Sequence, residues 1–122
     1  MQAAVGLGQL EYLSDIQQLR ADQKNHYKKR FVTNSKITFR PVANWCEDVH
    51  WLTTISLPSA ELRDPLINHL KELGVDSRPM VFPIHQAPPY QKHHDTLDFP
   101  VTRDVSYRSL HLPSSTAIGS ST

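Results

Sequence analysis

Apolar residues recur at helical spacing through the first thirty residues of the chain. A predicted helix over residues 2–13 has four of them on one face: Ala3, Ala4, Leu7 and Leu10. A second predicted helix, over residues 15–31, has a mixed inner face of Ile16, Leu19, Gln23, Tyr27 and Phe31. Ser14 followed three residues later by Gln17 has the form of a capping box, which predicts that the second helix begins there.

The hydrophobic period changes from helical to two in the middle of the chain. Residues 49–57 are rich in β-branched and aromatic side chains, which predicts a strand. Its alternate positions predict one buried face, made of Val49, Trp51, Thr53, Ile55 and Leu57. Shorter extended segments are predicted at residues 37–39, 75–80 and 110–113.

Two further helices are predicted between these strands. Asp64 as the cap and Pro65 in the first turn predict a helix that ends at Gly74. Its inner face is Leu66, Ile67, Leu70 and Leu73. Residues 81–99 are predicted to be a long loop that three prolines stiffen, and Thr102 is the predicted cap of a short helix that extends to Leu110.

This order of elements is typical of an α+β fold. We expect a small antiparallel or mixed sheet of three to four strands covered by helices, after a long N-terminal helical segment. The expected organisation is a single domain with residues 1–31 as the helical segment, residues 36–115 as the α+β lobe and residues 116–122 as a mobile polar tail.

Several segments, in the same order, resemble the DegT-type sugar-nucleotide aminotransferases, which are fold-type-I pyridoxal-phosphate enzymes. Residues 1–13 are similar to the helix that joins the two domains of those enzymes, and residues 62–79 to a helix, glycine stop and strand. Residues 82–90 resemble a loop on the active-site side. Leu110-His-Leu-Pro-Ser-Ser115 is similar to a late Leu-Ser-Leu-Pro-Ser segment of the family.

The resemblance implies a reaction and a missing part. The reaction is amino transfer from an amino acid such as glutamate to a keto-sugar nucleotide, with pyridoxal phosphate as the cofactor. The large domain of the family, which holds the Schiff-base lysine and most phosphate contacts, has no counterpart in these residues. We therefore expect an orphan or truncated small domain that binds no cofactor alone and is inactive alone, with either a homo-oligomer or a missing large-domain chain as its partner.

Composition narrows the range of partners and compartments. A net charge of +1 over 122 residues predicts no strong field, so neither nucleic acid nor an anionic membrane is an expected partner. The single cysteine excludes an internal disulfide and is typical of a reducing cytoplasm, which is the expected location. No apolar run is long enough for a membrane span.

The loop after the third predicted strand is the first candidate site. Arg78 precedes it and offers a bidentate donor for a phosphate or carboxylate, and the prolines would hold His85 and Tyr90 outward with little entropy left to lose. By the resemblance, these three residues are substrate-side contacts. The alternative is that Arg78 makes a structural ion pair and His85 caps a turn, and both interpretations stay open.

Three other groups of residues have weaker chemical signals. His93, His94 and Asp95, with His85, are a candidate metal cluster, although a solvated loop is the commoner outcome. Cys46 and His50 are the remote candidates for a hydrolase. The lysines lie in polar sequence surroundings without the burial that an imine-forming amine needs: residues 24, 28, 29, 36, 71 and 92.

The first predicted helix suggests a non-enzymatic function as the alternative. Gly6 and Gly8 lie inside it, where glycine costs about 1 kcal/mol relative to alanine, so another backbone is expected to approach closely. The predicted interface for self-association or for a partner chain is the small-residue face of Ala3, Ala4, Gly6, Leu7 and Gly8.

Overall fold

The computed structural model describes residues 1–94 and 99–115 of the chain, with the side chains of residues 92–94 left out. The predicted tail at 116–122 and the cluster around Asp95 lie outside this description. The helices of the described part are α1 (Gln2–Glu11), α2 (Leu13–Phe31), α3 (Arg63–Glu72), α4 (Pro88–His94) and α5 (Pro100–Arg108). The strands are β1 (Thr38–Phe39), β2 (Thr53–Ser56), β3 (Arg78–Pro79) and β4 (Ser109–Leu112).

The described strands form one antiparallel sheet in the order β1-β2-β4-β3. The last strand of the chain therefore lies inside the sheet, between β2 and β3. The expected α+β class is confirmed, and of the two sheet types left open the antiparallel one is found. Short 3₁₀ turns at Ala60–Leu62 and Ile84–Gln86 connect the outer elements.

The core lies on one face of this sheet, where β2 and β4 pair. Its buried apolar side chains are Ile55, Leu57, Leu110 and Leu112. Partly buried residues of the helices and of the β1 region pack against them, namely Tyr27, Phe31, Ile37, Phe39, Leu66, Ile67 and Leu70. The predicted inner face of α3 is confirmed at three positions, whereas Leu73 at the helix end is 65% exposed. Gly74, at φ 77°, ends that helix as predicted.

The strongest predicted strand is shorter than the sequence indicated. It begins at Thr53 rather than residue 49, and Val49 and Trp51 are exposed. The cause is local, because the carboxylate of Asp48 accepts a hydrogen bond from the backbone N–H of His50 at 3.0 Å. This Asx-type turn accompanies a φ of 53° at His50, which is incompatible with an extended strand.

The predicted helix starts are wrong in three places. Ser14 lies inside α2, whose N-cap is Tyr12 without a side-chain hydrogen bond, so the capping box does not form. Asp64 lies in the first turn of α3 and accepts a hydrogen bond from Arg63 instead of capping the helix. Thr102 lies inside α5, where proline at the first position favours an earlier start.

Part of the predicted loop over residues 81–99 is helical. It contains the turn Ile84–Gln86 and the helix α4, which begins directly at Pro88 and Pro89. Prolines fix φ near the helical value and lack the N–H that a first turn leaves unpaired, so they start a helix here rather than exclude one.

Replacing Leu110 by alanine tests whether the β2–β4 pair carries the fold. Leu110 has no solvent exposure and lies in β4, one of the two inner strands. We expect L110A to lose about 3 kcal/mol of unfolding free energy through lost burial and a residual cavity. Urea denaturation followed by circular dichroism measures this, with L73A at the exposed end of α3 as the matched control. Equal losses in the two variants would contradict this account of the core.

Candidate functional site

The loop that follows β3 is fixed to α5 by side-chain hydrogen bonds. The Ser106 hydroxyl donates to the carbonyl of Val81 at 2.8 Å, and the Tyr107 hydroxyl donates to Gln86 Oε1 at 2.7 Å. Gln91 closes the segment by donating to the Gln86 carbonyl at 2.9 Å. The segment therefore has a defined shape although it contains little regular structure.

The structure places the three predicted substrate contacts on or beside this loop without joining them. The side chain of Arg78 is 79% exposed and lies 3.5 Å from the Asp76 carboxylate. The His85 ring lies 4.6 Å from the ring of Phe99, and Tyr90 is 47% exposed on α4. In the part of the chain that the structure describes, no hydrogen bond or ion pair links any two of the three.

An ionic cluster built on the buried Lys24–Asp48 pair joins α2 to the segment before β2. Lys24 is 5% exposed, and its ammonium donates to the carboxylate of Asp48. Arg40 and His50 each place a nitrogen 3.4 Å from the same carboxylate oxygen. Chiefly because of the hydrogen bond from Lys24, the pKa of Asp48 falls to about 2.

The sequence placed Lys24 wrongly among the solvated residues of α2. A signal was present, because Lys24 is adjacent to Gln23 and lies one turn before Tyr27, both on the inner face of the helix. Its partner Asp48 lies 24 residues away along the chain, and no local pattern relates the two. The neighbouring Arg20 has a buried Nε without a hydrogen bond.

The described lysines do not fit the anchoring of pyridoxal phosphate. An imine-forming lysine needs a free amine in a desolvated site, and the buried ammonium of Lys24 is held by Asp48 instead. The other lysines with described side chains are exposed at positions 28, 29, 36 and 71. The described lysines therefore offer no free, desolvated amine that could hold the cofactor.

The structure shows no arrangement of described side chains that would support the candidate metal cluster or the candidate hydrolase pair. Among residues 1–94 and 99–115, no three potential metal ligands converge, and the side chains of His93 and His94 lie outside the description. Cys46 is exposed, and its thiol contacts the Glu47 carbonyl at 3.6 Å, while His50 lies against Asp48. The Cys46–His50 pair therefore lacks the contact that a nucleophile needs with its base.

The predicted small-residue face of α1 is open to solvent in this chain. α1 contains no buried residue, and a Cβ built on Gly6 or Gly8 would meet nothing within 4 Å. Leu7 and Leu10 are each more than 60% exposed. Of the helices that the structure describes, none has both the length and the apolar character to cross a bilayer.

Comparison with known proteins identifies the family. The profile of the DegT/DnrJ/EryC1/StrS aminotransferase family matches residues 1–122. The chain belongs to this family. The chain is 32% identical over 116 residues to GDP-perosamine synthase of Escherichia coli O157:H7, a match that covers 92% of the chain and 30% of that protein. It is also 32% identical to GDP-perosamine synthase of Caulobacter vibrioides, covering 93% of the chain and 31% of that protein.

Solved structures have the same fold. The aminotransferase TlmJ from Streptoalloteichus hindustanus superposes with a TM-score of 0.87 at 20% identity, over 98% of this chain and 32% of that one. DesV from S. venezuelae gives a TM-score of 0.88 at 24% identity, over 98% of this chain and 32% of that one. The 122 residues thus span about a third of the length of the relatives they match. Intact enzymes of the family depend on pyridoxal phosphate.

Removing the charge of Asp48 tests the ionic cluster. In D48N the Lys24 ammonium stays buried without a counter-charge, and we expect a loss of about 3 kcal/mol in unfolding free energy at pH 7. E47Q, which neutralises the adjacent exposed carboxylate, is the control and should lose less than about 0.5 kcal/mol.

The pH dependence of the same variants supplies an independent check. The Asp48 pKa lies near 2 in the folded chain against 3.8 for a free carboxyl, so its stabilisation is complete above pH 3.8 and is lost as the pH falls toward 2. Urea denaturation of E47Q should show this acid loss, and that of D48N should lack it. Identical pH profiles would contradict the assignment.

Proposed function

We propose that residues 1–122 form the small lobe of a sugar-nucleotide aminotransferase. In intact form, the enzyme transfers an amino group from an amino acid such as glutamate to a keto-sugar nucleotide. The observation that carries this proposal is the family match along the whole chain. The two relatives named GDP-perosamine synthase support a GDP-linked keto sugar as the acceptor.

The proposed contribution of this lobe is substrate contact rather than cofactor chemistry. Arg78 has an exposed guanidinium whose pairing with Asp76 is long and solvated, so an incoming carboxylate or phosphate competes easily for it. His85 and Tyr90 lie on the segment that Ser106 and Tyr107 fix in place. A fixed segment loses little entropy when a ligand binds, which supports a contact function for these side chains.

The proposal includes inactivity of the 122-residue chain by itself. The cofactor supplies the electron sink for amino transfer and requires a lysine that can form an imine with it. Lys24 has its ammonium bound to Asp48, and the chain covers only about 30% of its curated relatives. Both observations support a cofactor site that depends on residues outside this chain.

Reductive trapping tests that inactivity. The chain is mixed with pyridoxal phosphate and borohydride, and the modified lysines are mapped by mass spectrometry. We expect substoichiometric labelling spread over the exposed lysines, no preference for Lys24, and no amino transfer from glutamate to a GDP-linked keto sugar. One stoichiometric adduct together with turnover would refute the proposal. The K71Q variant, which lacks one exposed lysine, measures the surface background.

A second candidate function is association through α1. It is favoured by the open space around Gly6 and Gly8 and by the exposed apolar residues Val5, Leu7 and Leu10. A helix with no buried side chain gains little from its own chain, so packing against a second copy or a large-domain chain would stabilise it. The near-neutral charge favours a protein partner over nucleic acid.

Light scattering after size-exclusion chromatography tests this association. We expect the mass of a dimer for the unmodified chain and the mass of a monomer for L7K, since a lysine would place a charge in the interface. V101K introduces the same charge at an exposed apolar position of α5 and should remain dimeric. A monomer at every concentration of the unmodified chain would rule out self-association.

A further inference from the structure

A polar row crosses three strands on the sheet face opposite the apolar core. Thr54 of β2 lies opposite His111 of β4, and His111 lies opposite Arg78 of β3. Successive side chains of a strand alternate between faces, so the side chain of His111 lies on the face opposite to those of Leu110 and Leu112. Opposed residues of paired strands have Cβ atoms about 5 Å apart. In the sheet, His111 therefore lies between Thr54 and Arg78, and the largely exposed side chain of Arg78 pairs with Asp76.

One nitrogen of the His111 ring makes a hydrogen bond and the other makes none. Its Nδ1 lies 2.9 Å from Thr54 Oγ1, whereas its Nε2 is buried and has no hydrogen-bond partner. Burial lowers the pKa of His111 below its usual 6.5. The folded chain therefore favours the neutral imidazole, which tolerates an unpaired nitrogen far better than an imidazolium would.

The charge that directly opposes His111 has the same sign as an imidazolium. Arg78 is the cross-strand neighbour, and its ion pair with Asp76 is too exposed to neutralise it fully. The residue on the other side, Thr54, has no charge. The helices α2 and α3 pack on the apolar face of the sheet, opposite to His111. The helix α5 also contacts β4; its charged residues are Arg103, Asp104 and Arg108, and Asp104 pairs with Arg108.

Strand β3 is held by its pairing with β4, by the packing of α3 and, one residue beyond Met80, by the hydrogen bond from Ser106 to the Val81 carbonyl. It consists of two residues at the edge of the sheet, and the ladder continues only to the Met80 N–H, which donates to the Ser109 carbonyl at 3.0 Å. The chain then enters the loop that begins at Val81. A repulsion between Arg78 and His111 would act directly on this short pairing.

We propose that His111 is a proton-sensitive positioning residue that holds β3, and the loop after it, only while its ring is neutral. An added proton would place a buried charge beside Arg78, and separation of β3 from β4 relieves both the burial and the repulsion. This device needs only the present chain, so it stands whether or not the proposed amino transfer is correct.

The direction of the effect follows from proton linkage. The paired state has the lowered pKa and the separated state a pKa near 6.5, so the separated state binds more protons between those values. The β3–β4 pairing is then at full strength above pH 6.5 and weakens as the pH falls from 6.5 to the lowered value. The weakening amounts to about tenfold in the opening equilibrium for each unit between the two pKa values.

Amide hydrogen exchange of the 122-residue chain measures this opening. The readout is the protection factor of Met80, which already corrects for the intrinsic pH dependence of exchange. We expect Met80 protection to fall between pH 7.5 and pH 5 by at least a few fold, while protection of Ile55 in β2 changes much less. In parallel, an NMR titration of the histidine rings should place the pKa of His111 below 6.5.

Three variants separate this mechanism from a general acid effect. H111N cannot take a proton but keeps an amide near Thr54, and its Met80 protection should become independent of pH. R78Q removes the opposing charge and should raise the pKa of His111 and reduce the acid response. H85N, which removes the histidine of the loop itself, should respond as the unmodified chain does.

Several results would overturn the proposal. One is a His111 that titrates at 6.5 or above in the unmodified chain, a measurement that needs no variant to fold. Another is a Met80 protection that is the same at pH 7.5 and pH 5. A third is an acid response that persists in H111N, or that disappears in H85N alone.

Discussion

The antiparallel pairing of β2 with β4 is the contact on which the rest of the lobe depends. It joins residues more than fifty positions apart and buries Ile55 and Leu110 at 2% and 0% exposure. β4 comes last in the described chain yet lies inside the sheet. The sheet is therefore complete only when β4 has paired with both β2 and β3. Every helix that packs on the core packs on this pair, so the long-range pairing sets the geometry of all that surrounds it.

Two sets of polar contacts connect the outer segments to the β2–β4 pair. The buried Lys24–Asp48 pair fixes the segment before β2 to α2, and Asp48 also bends that segment at His50. Hydrogen bonds from Ser106 and Tyr107 fix the loop after β3 to α5. The apolar core is small, and these polar contacts give the lobe much of its specific shape. The candidate substrate residues lie either on the loop that Ser106 and Tyr107 hold or on the edge strand β3 beside it.

Local patterns were sufficient where a periodic face meets the core. Residue spacing alone predicts the core contacts of Tyr27 and Phe31 in α2, three positions of the α3 inner face, the glycine that ends α3 and the buried alternation of Thr53 and Ile55. Leu19, on the predicted inner face of α2, is instead 53% exposed. The predictions that fail involve polar side chains, either in a local turn or in a pair of residues distant along the chain. The turn at Asp48 interrupted a strand whose composition favoured its continuation, and burial of Lys24 depended on a partner 24 residues away. For the candidate site, the sequence predicts a loop after β3, but the hydrogen bonds from α5 that shape this loop have no signature in residue spacing.

The described residues form a lobe that folds around β2 and β4, and we propose that catalysis by the intact enzyme relies on residues beyond it. Family membership and the fold support the assignment to sugar aminotransferases, and the α1 face and the loop after β3 are exposed in this chain. Residue-by-residue amide hydrogen exchange on the isolated chain at neutral pH measures whether the lobe folds around the β2–β4 pair. We expect the amides of β2 and β4 to be the most protected and those of α1 the least. Equal protection in α1 and β4, or exchange in β4 as fast as in an unstructured peptide, would contradict it.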